Sequence, residues 1–228
     1  MRSLDDGGNR PRDFFAANQE RWLADLQKDL VMVVDVRPPE SFAAGFLPGS
    51  LNVPAPSCLS PLAGSAFFED REVLFIAEEE GTVVETRAWF QRSGHPAGVG
   101  WFSPAILSLW RQKVGPLAKI EEISADNLAV RIAAWKTLVL DVRGGEQDQM
   151  ARIPESIQIP LEELLSSIIG LPLETNLTVV CETGQHSSLA GSLLWRLGYR
   201  NLSTLTGGMK SYVRRGLRVV TQASNPAL

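Results

Sequence analysis

Residues Leu177–Tyr199, LTVVCETGQHSSLAGSLLWRLGY, carry the pattern that decides the fold. A short apolar run with β-branched residues stops at Cys181, and a polar loop containing Gly184 follows. The next residues are small and apolar, which favours a helix. The stretch therefore predicts a strand, a loop and a helix, with a cysteine at the turn.

The predicted position of Cys181 favours a reactive thiol. A loop that leads directly into a helix turns backbone N–H groups towards its centre, and the helix dipole adds partial positive charge there. Such a place attracts anions and favours a thiolate. Taken alone, Cys181 is also compatible with a small apolar side chain that only fills the core.

Four segments, in this order along the chain, resemble the motifs of one family. They are LVLDVR (Leu138–Arg143), RIPESIQIP (Arg152–Pro160), CETGQHS (Cys181–Ser187) and LTGGMKSY (Leu205–Tyr212). In rhodanese-like sulfurtransferases the similar motifs are a strand ending in D-x-R, G-H-I-P-G-A-x-x-I-P, the active-site loop C-x-x-G-x-R-S, and G-G-x-x-x-W. The resemblance implies an α/β fold, with a parallel sheet flanked by helices on both faces.

The sequence also repeats itself. Three features recur at an interval of 106 residues: Asp35–Arg37 and Asp141–Arg143, Pro48 and Pro154, and Pro54 and Pro160. A repeat of this length indicates two copies of one domain, and 228 residues can hold two small cores. The prediction is one rhodanese-like domain over residues 13–114 and a second over residues 119–222.

The first copy lacks the cysteine. Val73–Ile76 aligns with Leu177–Val180 at an offset of 104, which puts Ala77 where Cys181 stands and places Glu78–Glu80 directly after it. Alanine has no nucleophilic atom, and three carboxylates would repel an anionic donor. The first copy is therefore predicted to be inactive in sulfur transfer, whether the glutamates form a solvated loop or a binding surface.

Several local elements are predicted as well. Asp13 is expected to cap a helix that begins at Phe14, and Gly98–Pro104 looks like a degraded form of the Gly-Gly segment. The helix after Cys181 is expected over residues 187–197. Ser124 is expected to cap a helix that buries one apolar face, formed by Leu128, Ile132 and Trp135.

The resemblance implies sulfane-sulfur transfer. The Cys181 thiolate would take sulfur from thiosulfate or a persulfide, and a thiol or cyanide would remove it. The residues implied to bind the substrate are the rest of the loop: Glu182, Thr183, Gly184, Gln185, His186 and Ser187. Asp141 and Arg143 are implied to support the loop from the strand end. No metal or other cofactor is expected.

The sequence departs from the family pattern at several positions. His186 replaces the usual Arg, so a permanent charge gives way to a group that titrates near pH 6.5 in model peptides. Glu182 adds a negative charge, and together these changes predict weak capture of dianionic donors and a pH-dependent rate. The alternative is that His186 only packs against its neighbours at the start of the helix and has no part in binding the donor. Gln147 and Arg152 also differ from the common residues, and Arg152 either supplies the missing positive charge or is a surface side chain.

Composition narrows the class of partners and the location. A net charge of −4 argues against nucleic acid, and no apolar run is long enough for a membrane span. Two cysteines and no apolar signal region favour the cytoplasm, and Cys58, in a proline-rich stretch, is not expected to react. The expected partners are a small sulfur donor and a thiol acceptor, with a protein sulfur acceptor or a separate persulfide-metabolising enzyme as further candidates.

Two other functions compete with sulfur transfer. A phosphatase or arsenate reductase of the Cys-x5-Arg type needs an arginine six residues after the cysteine, and Ser187 stands there. A non-catalytic binding or regulatory module is the stronger alternative. Tandem modules of this kind resemble the tails of metallo-β-lactamase-fold persulfide dioxygenases, but the chain has no H-x-H-x-D-H motif.

Overall fold

A computed structural model describes residues 12–13, 19–28, 30–54, 58, 72–94, 98, 100–145 and 151–221. The chain divides into two compact units, Met1–Lys119 and Ile120–Leu228. Each unit contains a five-stranded parallel sheet flanked by helices. The predicted architecture, two α/β domains that each have a parallel sheet flanked by helices, is confirmed.

The first unit alternates strands and helices. Its elements are β1 (Arg12–Asp13), α1 (Gln19–Gln27), β2 (Val31–Asp35), α2 (Pro39–Ala44), β3 (Leu51–Asn52), β4 (Glu72–Ile76), α3 (Glu80–Arg92), β5 (Gly100–Phe102) and α4 (Ala105–Lys113). The strands lie in the order β1-β5-β4-β2-β3. The two long central strands, β2 and β4, are buried almost throughout, as expected for parallel strands covered on both faces.

The second unit has the corresponding arrangement. Its elements are β6 (Glu121–Ile123), α5 (Ala125–Ala133), β7 (Leu138–Asp141), β8 (Ile157–Gln158), a 3-10 turn (Leu161–Glu163), α6 (Leu164–Ser167), β9 (Leu177–Val180), α7 (Gln185–Arg196), β10 (Leu202–Leu205) and α8 (Gly208–Arg214). The strand order is β6-β10-β9-β7-β8. The central strand, β9, is buried at all four residues and ends directly before Cys181.

Each unit has its own apolar core. In the first, Trp22 and Leu23 of α1 pack with strand residues such as Leu74 and Phe102. In the second, α5 and α8 pack on the sheet through Leu128, Met209 and Tyr212. The amphipathic patterns of these helices are thus satisfied within each unit.

Two sequence predictions about local structure are wrong, and a third lies outside the described residues. Asp13 lies in β1, which pairs with β5; the start of the predicted helix at Phe14 is outside the described residues, and the described helix begins at Gln19. Helix α7 begins at Gln185, two residues earlier than predicted, because left-handed Gly184 serves as its N-cap. Trp135 is 85% exposed and does not share the buried face of α5, because the helix ends at Ala133.

Other local predictions are confirmed. The Ser124 hydroxyl accepts a hydrogen bond from the Asn127 amide at 3.3 Å, which makes it the N-cap of α5. Strand β9 spans Leu177–Val180, the apolar run predicted to form the strand before Cys181. Among the described residues, no helix has the length and apolar character needed to cross a membrane.

Candidate active site

Strand register places Cys181 at the carboxyl end of the central strand. Asp141 of β7 lies opposite Val180 of β9, and Cys181 is the next residue. In the first unit Asp35 lies opposite Ile76, and Ala77 is the next residue. Ala77 and Cys181 therefore occupy equivalent positions. In parallel α/β sheets, ligands bind at the carboxyl ends of the strands.

Two backbone amides point at the Cys181 sulfur. The Gly184 amide donates to Sγ at 3.1 Å, and the Ser187 amide donates at 3.2 Å. The Cys181 thiol donates to the Ser187 hydroxyl oxygen at 3.5 Å, and that hydroxyl donates to the Gly184 carbonyl at 2.9 Å. Cys181 is only 1% exposed. The loop therefore surrounds the sulfur with donors that stabilise negative charge on it.

Gly184 makes this turn possible. Its φ is 105°, in the left-handed region that side-chain-bearing residues rarely adopt. This conformation lets the chain reverse within three residues of Cys181 and enter α7. As a result, the first amides of α7 face the sulfur, and the helix dipole adds to their effect.

The Gly207–Gly208 pair holds the loop from the other side. The Met209 amide donates to the Cys181 carbonyl at 2.8 Å, and the Lys210 amide donates to the Glu182 carbonyl at 3.1 Å. Because N–H and C=O are antiparallel across a trans peptide, the Glu182 and Thr183 amides point away from α8.

Gly208 is required for this close contact. Its φ is 61°, and an added Cβ would lie 2.5 Å from the Cys181 carbonyl oxygen. The Gly-Gly segment resembles a family motif in the sequence, but no role for Gly208 was predicted from it. Two adjacent glycines before a helix were the signal that could have pointed to a close backbone approach.

A buried ion pair lies beneath the loop. Arg143 binds both carboxylate oxygens of Asp141, at 2.7 to 3.1 Å, and donates to the Ala151 carbonyl at 3.1 Å. Its Nη1 also lies 3.4 Å from the Glu182 carboxylate. Burial opposes the charged guanidinium, but Asp141 and then Glu182 outweigh it and raise the pKa of Arg143. Arg143 thus remains charged and partly neutralises Glu182.

His186 lies in the first turn of α7 and is half-buried. Burial lowers the pKa of His186 below its usual value, and nearby Glu162 only partly opposes this shift. His186 is therefore neutral at neutral pH, and the expected titration near pH 6.5 moves to lower pH. Glu162 was not predicted as a neighbour of His186, because only the fold brings the 3-10 turn after β8 next to α7.

The remaining predicted site residues are distributed as follows. Thr183 and Gln185 are exposed beside the loop. The backbone of Arg152 pairs with Val220, and within the described part of the chain its side chain forms no ion pair or hydrogen bond. Gln147 lies outside the described residues, and Cys58 is fully buried.

The described residues contain no cluster of three or more His, Cys, Asp or Glu side chains arranged to hold a metal ion. The chemically distinctive feature of the site is a sulfur atom enclosed by backbone donors. Such an arrangement can stabilise a thiolate or a persulfide through pre-aligned hydrogen bonds.

Comparison with known proteins matches both units to one family. The rhodanese-like domain model matches residues 19–103 and 124–215. Adenylyltransferase and sulfurtransferase uba4 of Ogataea parapolymorpha is 34% identical over 100 residues, which cover 43% of this chain and 25% of that protein. A sulfurtransferase of Allochromatium vinosum is 26% identical over 102 residues, covering 44% of this chain and 95% of that protein.

A solved structure is similar as well. The rhodanese-related protein of Thermoplasma volcanium shares 33% identity with a TM-score of 0.41, over 44% of this chain and 97% of that one. The chain thus spans only a quarter of the length of the uba4 relative, but almost all of the two shorter proteins.

Proposed function

Because this chain belongs to the rhodanese-like family, with two such domains in tandem, we propose that it is a sulfurtransferase in which Cys181 carries sulfane sulfur as a persulfide. The observation that carries this proposal is the pair of amides, from Gly184 and Ser187, that donate to the Cys181 sulfur. They favour an anionic sulfur at this position in the resting enzyme, which is the thiolate that attacks the donor.

The transfer takes place in two displacements. The Cys181 thiolate attacks the outer sulfur of the donor, a new S–S bond forms, and the donor's own S–S or S–SO3 bond breaks. A persulfide donor leaves as a thiolate, and thiosulfate leaves as sulfite. In the second step an acceptor thiolate attacks the outer sulfur of the Cys181 persulfide, and the Cys181 thiolate is restored.

The charges around the loop favour a persulfide donor over thiosulfate. Arg143 is already paired with Asp141 and lies beside Glu182. His186 is neutral because burial lowers its pKa, and Glu162 adds a negative charge beside it. A dianion would therefore meet two carboxylates and no uncommitted cation among these residues. A persulfide carries a single negative charge at its reacting S–S group, whereas thiosulfate concentrates two on one small ion, so the persulfide loses less energy on approach to the carboxylates.

The acceptor is proposed to be a low-molecular-weight thiol or a cysteine of a partner protein, including a separate persulfide-metabolising enzyme. Cyanide remains a second acceptor to test. The site of action is proposed to be a reducing compartment such as the cytoplasm, since free thiols are needed as acceptors. Ala77 leaves the first unit without a nucleophile, so its role is proposed to be non-catalytic.

Intact-mass spectrometry after exposure to a donor tests the persulfide. The full chain is treated with thiosulfate or, separately, with glutathione persulfide, and Cys181→Ala is compared with Cys58→Ala as the matched control. We expect the wild type and Cys58→Ala to gain one sulfur atom and Cys181→Ala to gain none. Glutathione persulfide is expected to load the enzyme at the lower concentration.

Two outcomes would contradict the proposal in different ways. A sulfur gain that survives Cys181→Ala would remove Cys181 from the reaction. No gain with either donor, from a protein that is folded by circular dichroism, would favour a non-catalytic binding module instead. Preferential loading by thiosulfate would keep the activity but overturn the donor assignment.

A further inference from the structure

The second unit contains a cavity that the proposed sulfur transfer does not use. Its volume is about 520 Å³, within the range of roughly 300–1,000 Å³ typical of small-molecule sites. Its walls come from the end of α5, the start of β7, the turn before β8, and α8 with the residues after it. Most of the lining side chains are apolar, among them Ile132, Leu138, Ile153 and Leu217.

The cavity is well separated from Cys181. It reaches Thr137 and Leu138 at the amino end of β7, and Leu138 lies opposite Leu177 at the start of β9. Cys181 follows the carboxyl end of β9, four residues further along a parallel strand. At about 3.3 Å per residue, the two places are roughly 13 Å apart along the strands. A ligand in the cavity would not contact the sulfur.

Two residues with unfavourable backbone conformations line this cavity. Trp135 (φ 54°) and Glu155 (φ 62°) are the only non-glycine residues of the described chain with positive φ. Trp135 is the residue directly after the C-cap of α5, where glycine is preferred. The Trp135 amide donates to the Ile132 carbonyl, and the Lys136 amide donates to the Arg131 carbonyl, as is typical of a helix that ends in a left-handed residue. At the position equivalent to Glu155 in the first unit, 106 residues earlier, the chain has a glycine, Gly49, which also has a positive φ.

Left-handed backbone at such residues costs conformational energy, and strained residues concentrate at ligand sites. Trp135 gains nothing evident from packing, because it is 85% exposed. It stands at the rim of the cavity, where an indole can close over a bound molecule.

The wall also contains a hydroxyl group that has no hydrogen-bond partner among the described residues. Tyr212 is 3% exposed and lines the cavity, yet its hydroxyl makes no hydrogen bond to any residue that the structure describes. Burial raises the pKa of Tyr212, so the hydroxyl stays protonated and can donate. The hydroxyl oxygen is not one of the fully enclosed polar atoms that lack a partner, so it is accessible from the cavity, where a ligand can accept its hydrogen bond.

We propose that this cavity is a binding site for a flat, uncharged, mainly apolar molecule that stacks on Trp135 and accepts a hydrogen bond from Tyr212. The apolar walls select against charge. The two charged residues of the lining, Glu155 and Arg218, have opposite signs, so together they favour neither anions nor cations.

Nile red, a flat uncharged dye with a carbonyl acceptor, is a suitable probe because its emission rises in apolar sites. Titrated into the full chain, it should bind saturably at one equivalent. Trp135→Gly should weaken binding at least tenfold while leaving the melting temperature equal or higher, because glycine is favoured at that backbone position. This variant separates loss of the site from loss of the fold.

Two further variants and a control sharpen the test. Ala129→Phe, which fills the cavity from α5, should also weaken binding at least tenfold. Tyr212→Phe, which removes only the hydroxyl, should weaken it about fivefold, the usual effect of one hydrogen bond. Val130→Ala is the matched control, since Val130 is exposed on the same helix and does not line the cavity.

The proposal is overturned if Nile red shows no saturable binding to the folded chain. It is also overturned if binding is unchanged in Trp135→Gly and Tyr212→Phe, because the dye would then bind elsewhere. Amide chemical shifts of the wild type give a check that needs no variant. Dye-induced shifts should be largest within residues 129–139 and 153–155, and shifts confined to other segments would contradict the site.

Discussion

The loops that follow β4 and β9 begin at equivalent positions of two similar sheets, and they differ at three places. Ala77 stands where the second unit has Cys181. At the same offset of 104 residues, Glu80 occupies the position of Gly184 in the second unit. Helix α3 already begins at Glu80, whereas Gly184 precedes the first residue of α7. The pairing of β5 with β4 and of β10 with β9 places Pro104–Ala105 where the second unit has Gly207–Gly208.

The strand ends beneath the two loops are nearly the same. Arg37 binds both oxygens of Asp35 and donates to the Gly45 carbonyl at 3.0 Å, as Arg143 does with Asp141 and Ala151. Both arginines are almost fully buried. The ion pair is thus present in the unit with the cysteine and in the unit without it, which indicates a role in supporting the fold.

The comparison shows that the sulfur site depends on backbone conformation as much as on the cysteine. Gly184 and Gly208 both have positive φ, and the residues at the equivalent positions of the first unit do not. The register also corrects the assignment of Gly98–Pro104 as a degraded Gly-Gly motif. Gly100 lies within β5, and the equivalent positions are occupied by Pro104 and Ala105.

The largest expected effect comes from exchanging the residues at positions 77 and 181, where the two equivalent loops begin. Cys181→Ala should lower sulfur transfer by more than about 10³-fold, because the nucleophile is lost. Adding Ala77→Cys to this variant should restore nothing, because the first loop lacks the left-handed turn and contains three exposed glutamates. Intact mass after treatment with glutathione persulfide is the measurement. A sulfur gain in the double variant would mean that the cysteine alone suffices.

Gly208→Ala should have the next largest effect. The added Cβ would clash with the Cys181 carbonyl, and the backbone conformation alone costs about 1–3 kcal/mol. We expect the loop to shift and the rate of persulfide formation to fall about 100-fold. Stopped-flow kinetics measures the rate of persulfide formation, and thermal unfolding measures the loss of stability.

The matched control is Ala105→Gly, at the equivalent position of the first unit. It should leave sulfur transfer unchanged and lower stability by less than about 1 kcal/mol, as expected for a glycine in the first turn of a helix. Equal losses of activity in both variants would refute a specific role for Gly208.

Gly184→Ala should have a smaller effect, because the space around Gly184 is more open. An added Cβ would lie 3.7 Å or more from its neighbours, so only the positive φ is unfavourable. Displacing the amide that donates to Cys181 should lower the rate about 10- to 100-fold, less than the roughly 100- to 1,000-fold effect of removing an oxyanion donor, because the Ser187 amide still donates. Iodoacetamide alkylation of Cys181 at fixed pH should slow in parallel. An unchanged alkylation rate would mean that this amide does not stabilise the thiolate.

His186→Arg should make the second loop more like the common family pattern. The permanent charge should lower the KM for thiosulfate at pH 8 by about fivefold, equivalent to roughly 1 kcal/mol. His186→Gln is the neutral control and should match the wild type at pH 8, because the lowered pKa keeps His186 uncharged there. If Arg and Gln variants had the same KM, this position would have no part in donor selection.

The smallest expected effect concerns acid stability. Burial lowers the pKa of His186 below 6.5, so the unfolded chain binds the proton more readily than the folded chain. Stability from this group is therefore present above pH 6.5 and is lost as the pH falls through and below that value. Between pH 7 and 5 the wild type should lose more stability than His186→Gln in urea unfolding. An equal loss would contradict the buried, neutral histidine.

Much of the fold was predictable because its signals are local. Apolar runs, Gly and Pro positions and the 106-residue repeat identified two parallel α/β domains and the strand ending at Cys181. Helix boundaries were less reliable. Asp13 has the side chain of a helix cap, but it pairs in β1, and sequence cannot reveal pairing with a strand almost 90 residues away. Trp135 fits the helical period, but the helix ends before it.

The sequence was sufficient to establish the fold class, the repeat, the cysteine in one copy with alanine in the other, and the loop whose amides face that cysteine. The wider surroundings of the cysteine depend on tertiary packing. The close approach of Gly208, the Arg143–Glu182 contact and the Glu162–His186 pair join residues from separate elements. Local patterns determine secondary structure, whereas these distances and pKa shifts depend on how the strands and helices pack.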